Sequence, residues 1–435
     1  MKSAYIMPHP PIARPEVGRG EEKKIQSTLD AYRAASKMIA EDAPETIVVV
    51  SPHSVVFSDA FYIAAGEKWH GDLSNFLAPE VNLDLENDLE LADGVVKLCQ
   101  EAKIPVVYTE QGTERPDHGS TVPLAFISEA YQGFKVLRIS PSFLPDETLL
   151  EMGRIIERAA AHVGRKITFL ASGDLSHKLK EDGPYGFVKE GPEFDSQVTD
   201  IMKRCELKEF REFDEQFLDR AAECGLPGFI MMSGALENYH VTSEFLSYEG
   251  TFGVGYAICA FHCVDKYIAL AKKTLETFIR EGKQLSLADL SPEELTEEMR
   301  NSRNGTFVSI HKNGELRGCI GTISPWTSCV AEEILSMAVE AGTRDPRFPA
   351  VRQEELEELV YDVDVLQPAE PASPDELDAK RYGVIVTSGF KRGLLLPNLE
   401  GVETPGQQIR IAMMKAGIGE GEDIQLERFT VERHE

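Results

Sequence analysis

The stretch TIVVVSPHSVVF, residues 46–57, decides the fold of the first part of the chain. Its β-branched run at 47–50 is typical of a strand buried on both faces, and Pro52 prevents the strand from continuing. His53 therefore lies just past a strand end. Ligands of open α/β sheets bind in the crevice outside the carboxyl ends of the strands, so an imidazole there is well placed for chemistry. Taken alone, His53 is more simply interpreted as an ordinary turn residue.

His9 occupies an equivalent position earlier in the chain. It follows a short strand predicted over 1–7, and a helix predicted over 22–41 connects that strand to the one at 47–50. This order implies parallel strands joined by a right-handed crossover. His9 and His53 are therefore expected at the same edge of the sheet.

Two further histidines reach this edge by separate routes. His177 follows an apolar strand predicted over 167–171, and His118 lies near the end of a polar, glycine-containing loop predicted over 111–120. Four imidazoles brought to one crevice are better explained by a shared site than by coincidence.

The remaining patterns divide the chain into two units. In the first unit, helices are predicted over 82–102, 147–162, 193–204, 209–222 and 229–239, and further strands over 105–108, 135–139 and 250–262. The second unit begins near residue 264 and has helices predicted over 266–281 and 330–341. Its predicted strands are at 306–311, 315–320, 360–366, 383–388 and 393–396, and Lys312-Asn313-Gly314 joins the first two as a hairpin. These patterns indicate an α/β domain followed by a smaller α+β domain.

Length and charge exclude several classes of function. A chain of 435 residues exceeds one typical core, so two domains are expected. A formal net charge of −28 argues against nucleic-acid binding, which needs a basic surface. The seven scattered cysteines contain no CxxC pair, and no segment approaches the roughly 18 apolar residues of a membrane span. We therefore expect a cytoplasmic protein without membrane or nucleic-acid partners.

The chemistry-bearing residues suit a metal ion. His9 and His53, together with an anionic group from Glu223 or Cys224, would form a two-His-one-anion site with open positions, which suits non-haem Fe(II). The carboxylate of Glu223 favours iron, whereas the thiolate of Cys224 also admits copper or zinc. His118 would then remain available as a proton donor or acceptor, as would His177.

Four motifs carry a resemblance to a known family over about residues 1–263. They are Pro8-His9-Pro10, Ser51-Pro52-His53, Asp117-His118-Gly119-Ser-Thr-Val-Pro-Leu124 and Ser172-Gly-Asp-Leu-Ser-His177. The set resembles the class III extradiol ring-cleavage dioxygenases, whose catalytic subunit is of the LigB type, and their Memo relatives. The resemblance implies an α/β domain with a largely parallel or mixed sheet flanked by helices.

The same resemblance implies roles for individual residues. His9 and His53 would be metal ligands, His118 and His177 would be the acid/base histidines that assist attack on a catechol, and Asp174 would orient the site. Dioxygenases of this class use a Glu as third ligand, whereas Memo proteins carry a Cys-Gly. Because Glu223 and Cys224 are adjacent, both alternatives remain at this point.

The second unit, residues 264–435, resembles the AMMECR family. Leu316-Arg-Gly-Cys-Ile-Gly-Thr322 is close to the most recognisable motif of that family, and Arg347-Phe348-Pro349 and Tyr382-Gly-Val-Ile-Val386 fit later segments. Memo-like and AMMECR-like proteins occur with a radical-SAM enzyme in the AmmeMemoRadiSam system. The resemblance therefore implies a separate radical-SAM partner, because this chain carries no radical-SAM Cys motif.

These inferences lead to two functional hypotheses. The first is an Fe(II)-dependent oxidoreductase that acts on a small catechol-like aromatic substrate with dioxygen, with copper or zinc as the alternative metals. The second is a Memo-like metal-binding redox or interaction protein without ring-cleavage activity that works with the radical-SAM partner. The sequence leaves the oligomeric state open.

Overall fold

The structure is a computed structural model that describes residues 1–111, 117–399 and 401–434. The chain divides into two units, Met1–Cys263 and Val264–Glu435. Among the described residues, no helix combines the length and apolar character that crossing a membrane requires.

The first unit contains ten strands and eight helices in its described part. The strands are β1 Ser3–Met7, β2 Thr46–Val50, β3 Phe61–Ala64, β4 Lys68–Leu73, β5 Ala78–Glu86, β6 Val106–Thr109, β7 Lys135–Ser140, β8 Ile167–Ser172, β9 Tyr239–Glu249 and β10 Tyr256–Asp265. The helices are α1 Pro15–Gly18, α2 Gln26–Asp42, α3 Leu89–Ala102, α4 His118–Ala130, α5 Asp146–His162, α6 Glu190–Arg204, α7 Glu215–Ala221 and α8 Leu226–Ala235.

Eight of these strands form one mixed sheet in the order β6-β3-β7-β2-β8-β1-β10-β9. Strand β8 lies between β1 and β2 and runs parallel to both, and β7 is parallel to β2 on its other side. Strand β10 pairs antiparallel with β1. The α/β class with a mixed sheet flanked by helices is therefore confirmed, as is the parallel relation of the first strands.

The strand at 46–50 is buried on both faces, as its β-branched run predicts. Val48 and Val50 pack into the core under α3, α5 and α8, whereas Ile47 and Val49 pack into the core under α2 and α4. Side chains of a strand alternate between the faces, so one short apolar run contributes to both layers. This double burial fixes the position of the loop that carries His53.

Some predicted elements in the first unit were wrong. Residues 82–86 belong to β5, which pairs with β4, and the helix begins only at Leu89 after the cap residue Asp88. The run Val-Asn-Leu-Asp-Leu-Glu alternates with a period of two, which is the strand signal, but its leucines also fit a helical stripe. The predicted helix over 229–239 ends at 235, and the one over 209–222 is interrupted between 211 and 215.

Helix α4 replaces the end of the loop predicted over 111–120. The helix begins at His118, and Asp117 caps it by accepting a hydrogen bond from the Ser120 backbone N–H. Gly119 and Pro123 disfavour a helix by propensity, so tertiary packing overrides the local signal here. The part of the predicted loop at 112–116 lies outside the described residues.

The second unit is α+β, as predicted. Its helices are α9 Lys266–Glu281, α10 Glu297–Asn301, α11 Val330–Thr343 and α12 Pro405–Ala416. Its strands are β11 Thr306–Lys312, β12 Glu315–Gly321, β13 Leu359–Leu366, β14 Glu370–Pro371, β15 Gly383–Ser388, β16 Lys391–Leu395, β17 Gln425–Phe429 and β18 Val431–His434. They form two antiparallel sheets, β12-β11-β13-β18 and β14-β17-β15-β16, and the β11–β12 hairpin is confirmed.

Candidate metal centre

Three neighbouring parallel strands carry the site at their carboxyl ends. His9 follows β1, His53 follows β2, and Asp174 follows β8, which lies between the two. Parallel strands end at the same edge of a sheet, so these side chains meet there. The strand order therefore places His9 and His53 at the same edge of the sheet, as the sequence predicts.

His9, His53 and Cys224 form a compact group. The Nε2 atoms of His9 and His53 are 3.0 Å apart, and the Sγ of Cys224 is 3.6 Å from the Nε2 of His9. Within the part of the chain that the structure describes, this is the group of His, Cys, Asp and Glu side chains arranged closely enough to hold a metal ion.

Cys224, and not Glu223, lies beside the two histidines. The Oε2 of Glu223 instead accepts a hydrogen bond of 2.6 Å from the backbone N–H of Leu226, in the first turn of α8. Burial raises the pKa of Glu223 to about 7, although backbone hydrogen bonds from Leu226 and Gly225 lower it. Adjacent side chains point in different directions, so one of the pair stabilises the helix start and the other faces the histidines.

A hydrogen-bond chain orients the imidazole of His9. Ser172 Oγ donates its proton to the carbonyl of Gly119 and is 2.9 Å from His9 Nδ1. A hydroxyl has one proton, so Ser172 accepts from Nδ1–H of His9. The Nε2 atom therefore keeps its lone pair and directs it toward His53 and Cys224.

The Gly119 carbonyl is free for this bond because of Pro123. In a regular helix the N–H of the residue four positions later would donate to this carbonyl, and proline has no N–H. Ser172 supplies the missing donor. Pro123 therefore leaves the Gly119 carbonyl available to the Ser172 hydroxyl, and that bond determines which ring nitrogen of His9 carries the proton.

Asp117 holds the His53 loop and α4 together. Its Oδ1 accepts 2.8 Å from Ser51 Oγ, and its Oδ2 accepts 2.8 Å from Ser120 Oγ. His118 is the first residue of the helix that Asp117 caps, and its ring stacks on His53 with centroids 4.2 Å apart. The motif around His118 therefore serves as an anchor as well as a source of an imidazole.

His118 and His177 are kept neutral. Burial and the nearby His53 lower the pKa of His118 to about 4, although Asp117 opposes the shift. Burial and His53 likewise lower the pKa of His177 to about 4. Both rings lie against aromatic side chains, since Phe76 contacts His118 and Tyr185 stacks on His177. Near neutral pH both histidines are proton acceptors.

Asp174 connects the strand ends. Its Oδ1 accepts 2.8 Å from the backbone N–H of His9, and its backbone oxygen lies 3.7 Å from Cys224 Sγ. Burial raises the pKa of its carboxyl to about 7, with a further increase from Asp195, while the bond from His9 lowers it. Asp174 thus contacts both His9 and Cys224, and the orienting role that the resemblance implies for it stays a prediction.

The donor set fits a metal ion. Two nitrogens each about 2.1 Å from an ion and at a right angle are about 3.0 Å apart, and a nitrogen and a thiolate sulfur at about 2.1 and 2.3 Å and a tetrahedral angle are about 3.6 Å apart. These match the two separations observed from His9 Nε2, which lies 3.0 Å from His53 Nε2 and 3.6 Å from Cys224 Sγ. Two imidazole lone pairs at such a distance repel unless a proton or a cation lies between them.

Comparison with known protein families agrees with this geometry. Residues 3–259 match the family described as the catalytic LigB subunit of aromatic ring-opening dioxygenase, and residues 268–434 match the AMMECR1 family. The chain belongs to the LigB family, with an AMMECR1 domain fused behind it.

The relatives differ in how much of this chain they match, and their names state no activity. Protein CA_C1420 from Clostridium acetobutylicum is 40% identical over 99% of this chain and 98% of its own length. A protein from Thermotoga maritima is 48% identical over 39% of this chain and 96% of its own length. Among solved structures, uncharacterized protein JW3007 from Escherichia coli matches 60% of this chain and 99% of its own at 15% identity with a TM-score of 0.41.

Sequence reasoning on this LigB-family chain missed the residues that support the ligands. Ser172 ends β8 and Ser51 directly follows β2, and both stand within the motifs that carry the family resemblance. Small hydroxyl residues at strand ends, beside strand-end histidines, were the available signal. Their roles depend on a hydrogen-bond partner elsewhere in the chain, Gly119 for Ser172 and Asp117 for Ser51.

Proposed function

We propose that the LigB-like unit is a metal-dependent oxidoreductase that uses Fe(II) and dioxygen to oxidise, with ring opening, a small catechol-like substrate. The observation that carries the proposal is the contact of the His9 and His53 Nε2 atoms at 3.0 Å, beside the Cys224 thiol and at the carboxyl edge of the sheet. Copper or zinc are the alternative metals, because a thiolate ligand admits both.

The residues around the group support acid–base chemistry. An iron bound to two histidines and one anionic ligand keeps open positions for a substrate and dioxygen. His118 and His177, neutral at physiological pH, accept protons from the hydroxyl groups of the substrate and return them to the product. Phe76 and Tyr185 provide apolar contact beside these imidazoles for an aromatic ring.

The position of Cys224 favours a second candidate function. Carboxylates are the harder ligands, and Glu223 points away from the histidines. A thiolate in its place suits a Memo-like metal-binding redox or interaction protein without ring cleavage, which would work with a separate radical-SAM protein. In both cases the AMMECR1 unit would serve as a partner-binding or substrate-handling module.

One experiment separates the two candidates. The full-length protein is reconstituted anaerobically with Fe(II) and then exposed to oxygen with a panel of catechols. Oxygen uptake together with a yellow ring-opened product supports the dioxygenase. Stoichiometric binding of iron or copper with no oxygen uptake by any catechol overturns the dioxygenase and supports the metal-binding redox protein.

A further inference from the structure

A second group of buried polar side chains lies outside the metal centre. Arg138 is 2% exposed, Ser140 is fully buried and Trp69 is 1% exposed. The Nε and Nη2 of Arg138, the Oγ of Ser140 and the Nε1 of Trp69 have no hydrogen-bond partner in the described part of the chain. Buried polar groups are almost always paired, so each of these atoms requires an explanation.

The three side chains lie on one face of the main sheet. Arg138 and Ser140 are two residues apart on β7, so their side chains project from the same face of the sheet. The Arg138 guanidinium lies over the ring of Trp69, 4.6 Å from its centroid. Tyr62 on β3 pairs directly with Ser140. The region therefore lies between the sheet and the strand that carries Trp69.

The chemistry of these atoms selects an anion. The nitrogens of Arg138 and Trp69 can only donate, the Ser140 hydroxyl can donate as well, and one of the three groups is a cation. Burial lowers the pKa of Arg138 to about 10, opposed by Asp117 and Tyr62, so the guanidinium is charged at neutral pH. A buried cation without a bonded acceptor is strongly unfavourable.

The nearest carboxylate does not meet this requirement. Asp117 raises the pKa of Arg138 through its charge, but its two oxygens accept hydrogen bonds from Ser51 and Ser120. The charge of Asp117 thus partly balances that of Arg138, while Nε and Nη2 of the guanidinium have no hydrogen-bond partner in the described part of the chain. A planar carboxylate matches two adjacent guanidinium donors in geometry and in charge.

We propose that Arg138, Ser140 and Trp69 form an internal binding site for a small carboxylate anion. The site lies one strand away from the metal centre, because Ile139, between Arg138 and Ser140, pairs with Val50 at the end of the strand that leads to His53. The anion is either a free carboxylate or the carboxylate group of a larger molecule. The sequence marks the site by placing an arginine between the apolar residues Leu137 and Ile139 of the strand KVLRIS.

Fluorescence of Trp69 tests the site directly. The protein has two tryptophans, Trp69 and Trp326, and Trp326 is exposed. In full-length Trp326→Phe protein, sodium formate is expected to change the Trp69 emission with a saturable dependence, and neutral formamide of similar shape is expected to leave it unchanged. The response is expected with and without a metal chelator, because it does not depend on the metal centre.

Two variants provide the control. Arg138→Met keeps the length of the side chain but removes the charge and the donors, and is expected to weaken formate binding at least tenfold. If Arg138→Met does not fold, Ser140→Ala takes its place, with a smaller expected loss of affinity and a smaller rise of the melting temperature in formate. No response to formate in the parent protein, by emission or by melting temperature, means that buried water satisfies these donors and overturns the proposal.

The source of the carboxylate is resolved by competition in the iron-loaded protein. If the site takes the carboxylate of an aromatic ligand, formate displaces 3,4-dihydroxybenzoate and leaves the binding of catechol unchanged. If the site takes a free anion, formate and 3,4-dihydroxybenzoate bind independently. Either result supports an anion site at Arg138. Formate binding is measured in the metal-free protein, so a negative ring-cleavage assay would not affect this conclusion.

Discussion

His9 and His53 present the same imidazole group but are held in different ways. His9 is buried, with Ser172 bound to its Nδ1 and Asp174 bound to its backbone N–H. His53 lies at the open side of the group, and its backbone N–H contacts Ser51 Oγ. The His9 imidazole is thus fixed by the core, whereas His53 belongs to a loop that is anchored through Asp117. A rigid imidazole beside an accessible one would allow a metal ion to enter a site that is already oriented.

At this scale, His53 and His177 should separate metal binding from turnover. His53→Ala removes a ligand atom and is expected to abolish metal binding. His177→Ala should retain the metal and reduce turnover by about 10²–10⁴-fold, because it removes a proton acceptor only. Metal content by mass spectrometry and oxygen uptake on the same samples measure both effects. Unchanged metal content in His53→Ala would show that His53 is not a metal ligand.

Cys224 and Glu223 form a matched pair for testing the third ligand. Cys224→Ala is expected to lose the metal. Glu223→Gln preserves an oxygen that accepts from the Leu226 backbone N–H, so it should bind metal as the parent protein does. Equilibrium titration with Fe(II) and Cu(I) compares the two variants. The assignment fails if Glu223→Gln loses the metal while Cys224→Ala retains it.

At the scale of elements, α4 shows how a local irregularity serves the site. A proline within a helix costs a backbone hydrogen bond and destabilises the helix by roughly 3 kcal/mol in an ordinary context. Here the freed carbonyl of Gly119 receives the Ser172 hydroxyl, which in turn sets the tautomer of His9. The cost of the irregular helix is therefore offset partly by the new hydrogen bond and is retained for the orientation of a ligand.

Replacing Pro123 tests this connection between helix and ligand. Pro123→Ala restores an N–H that competes with Ser172 for the Gly119 carbonyl, so α4 should become more stable while metal affinity falls. Ser172→Ala removes the partner of His9 Nδ1 and should reduce metal affinity by about 10–100-fold. Thermal unfolding of the metal-free proteins and metal titration measure the two effects. Equal metal affinity in both variants and the parent would contradict a role for this chain of bonds.

At the scale of whole folded units, strand β18 of the second unit is bonded to Asp265, the residue that caps helix α9. His434, at the end of β18, bonds through Nδ1 to Asp265 Oδ2 at 2.8 Å, and its ring stacks on Tyr267 with centroids 3.7 Å apart. Asp265 also caps α9 by accepting from the backbone N–H groups of Tyr267 and Ile268. The first helix and the last strand of the unit thus depend on one carboxylate.

The contact between His434 and Asp265 should depend on pH. Burial lowers the pKa of His434, but the bond to Asp265 and the nearby Glu432 and Glu298 outweigh it and raise the pKa above its ordinary value of 6.5. A raised folded-state pKa gives stability that is fully present below about pH 6.5 and is lost as pH rises through the folded value. Hydrogen exchange of the C-terminal strand should therefore accelerate, after correction for intrinsic rates, between slightly acid and alkaline pH. His434→Gln should remove this pH dependence, and its persistence would assign it to another group.

The sequence by itself indicated six of the eight strands of the main sheet and the histidines that follow them, but it did not reveal β3 or β9. Apolar runs such as 47–50 and 167–171 specify buried strands through local period and β-branched composition, and alternation with helices specifies their parallel direction. His9, His53 and His177 reach one edge as a direct consequence. The sequence also offered two adjacent residues, Glu223 and Cys224, as candidates for the third ligand.

Tertiary structure alone placed one of those two residues, Cys224, beside the histidines and supplied the hydrogen bonds around them. Glu223 and Cys224 are neighbours in the chain. The Glu223 carboxylate accepts a hydrogen bond from the backbone N–H of Leu226 at the start of α8, whereas the Cys224 thiol lies beside the histidines. Ser172 and Arg138 likewise have roles set by residues distant in sequence, Gly119 and Trp69. Period and propensity are local properties, whereas hydrogen-bond partners and burial depend on which distant segments the fold brings together.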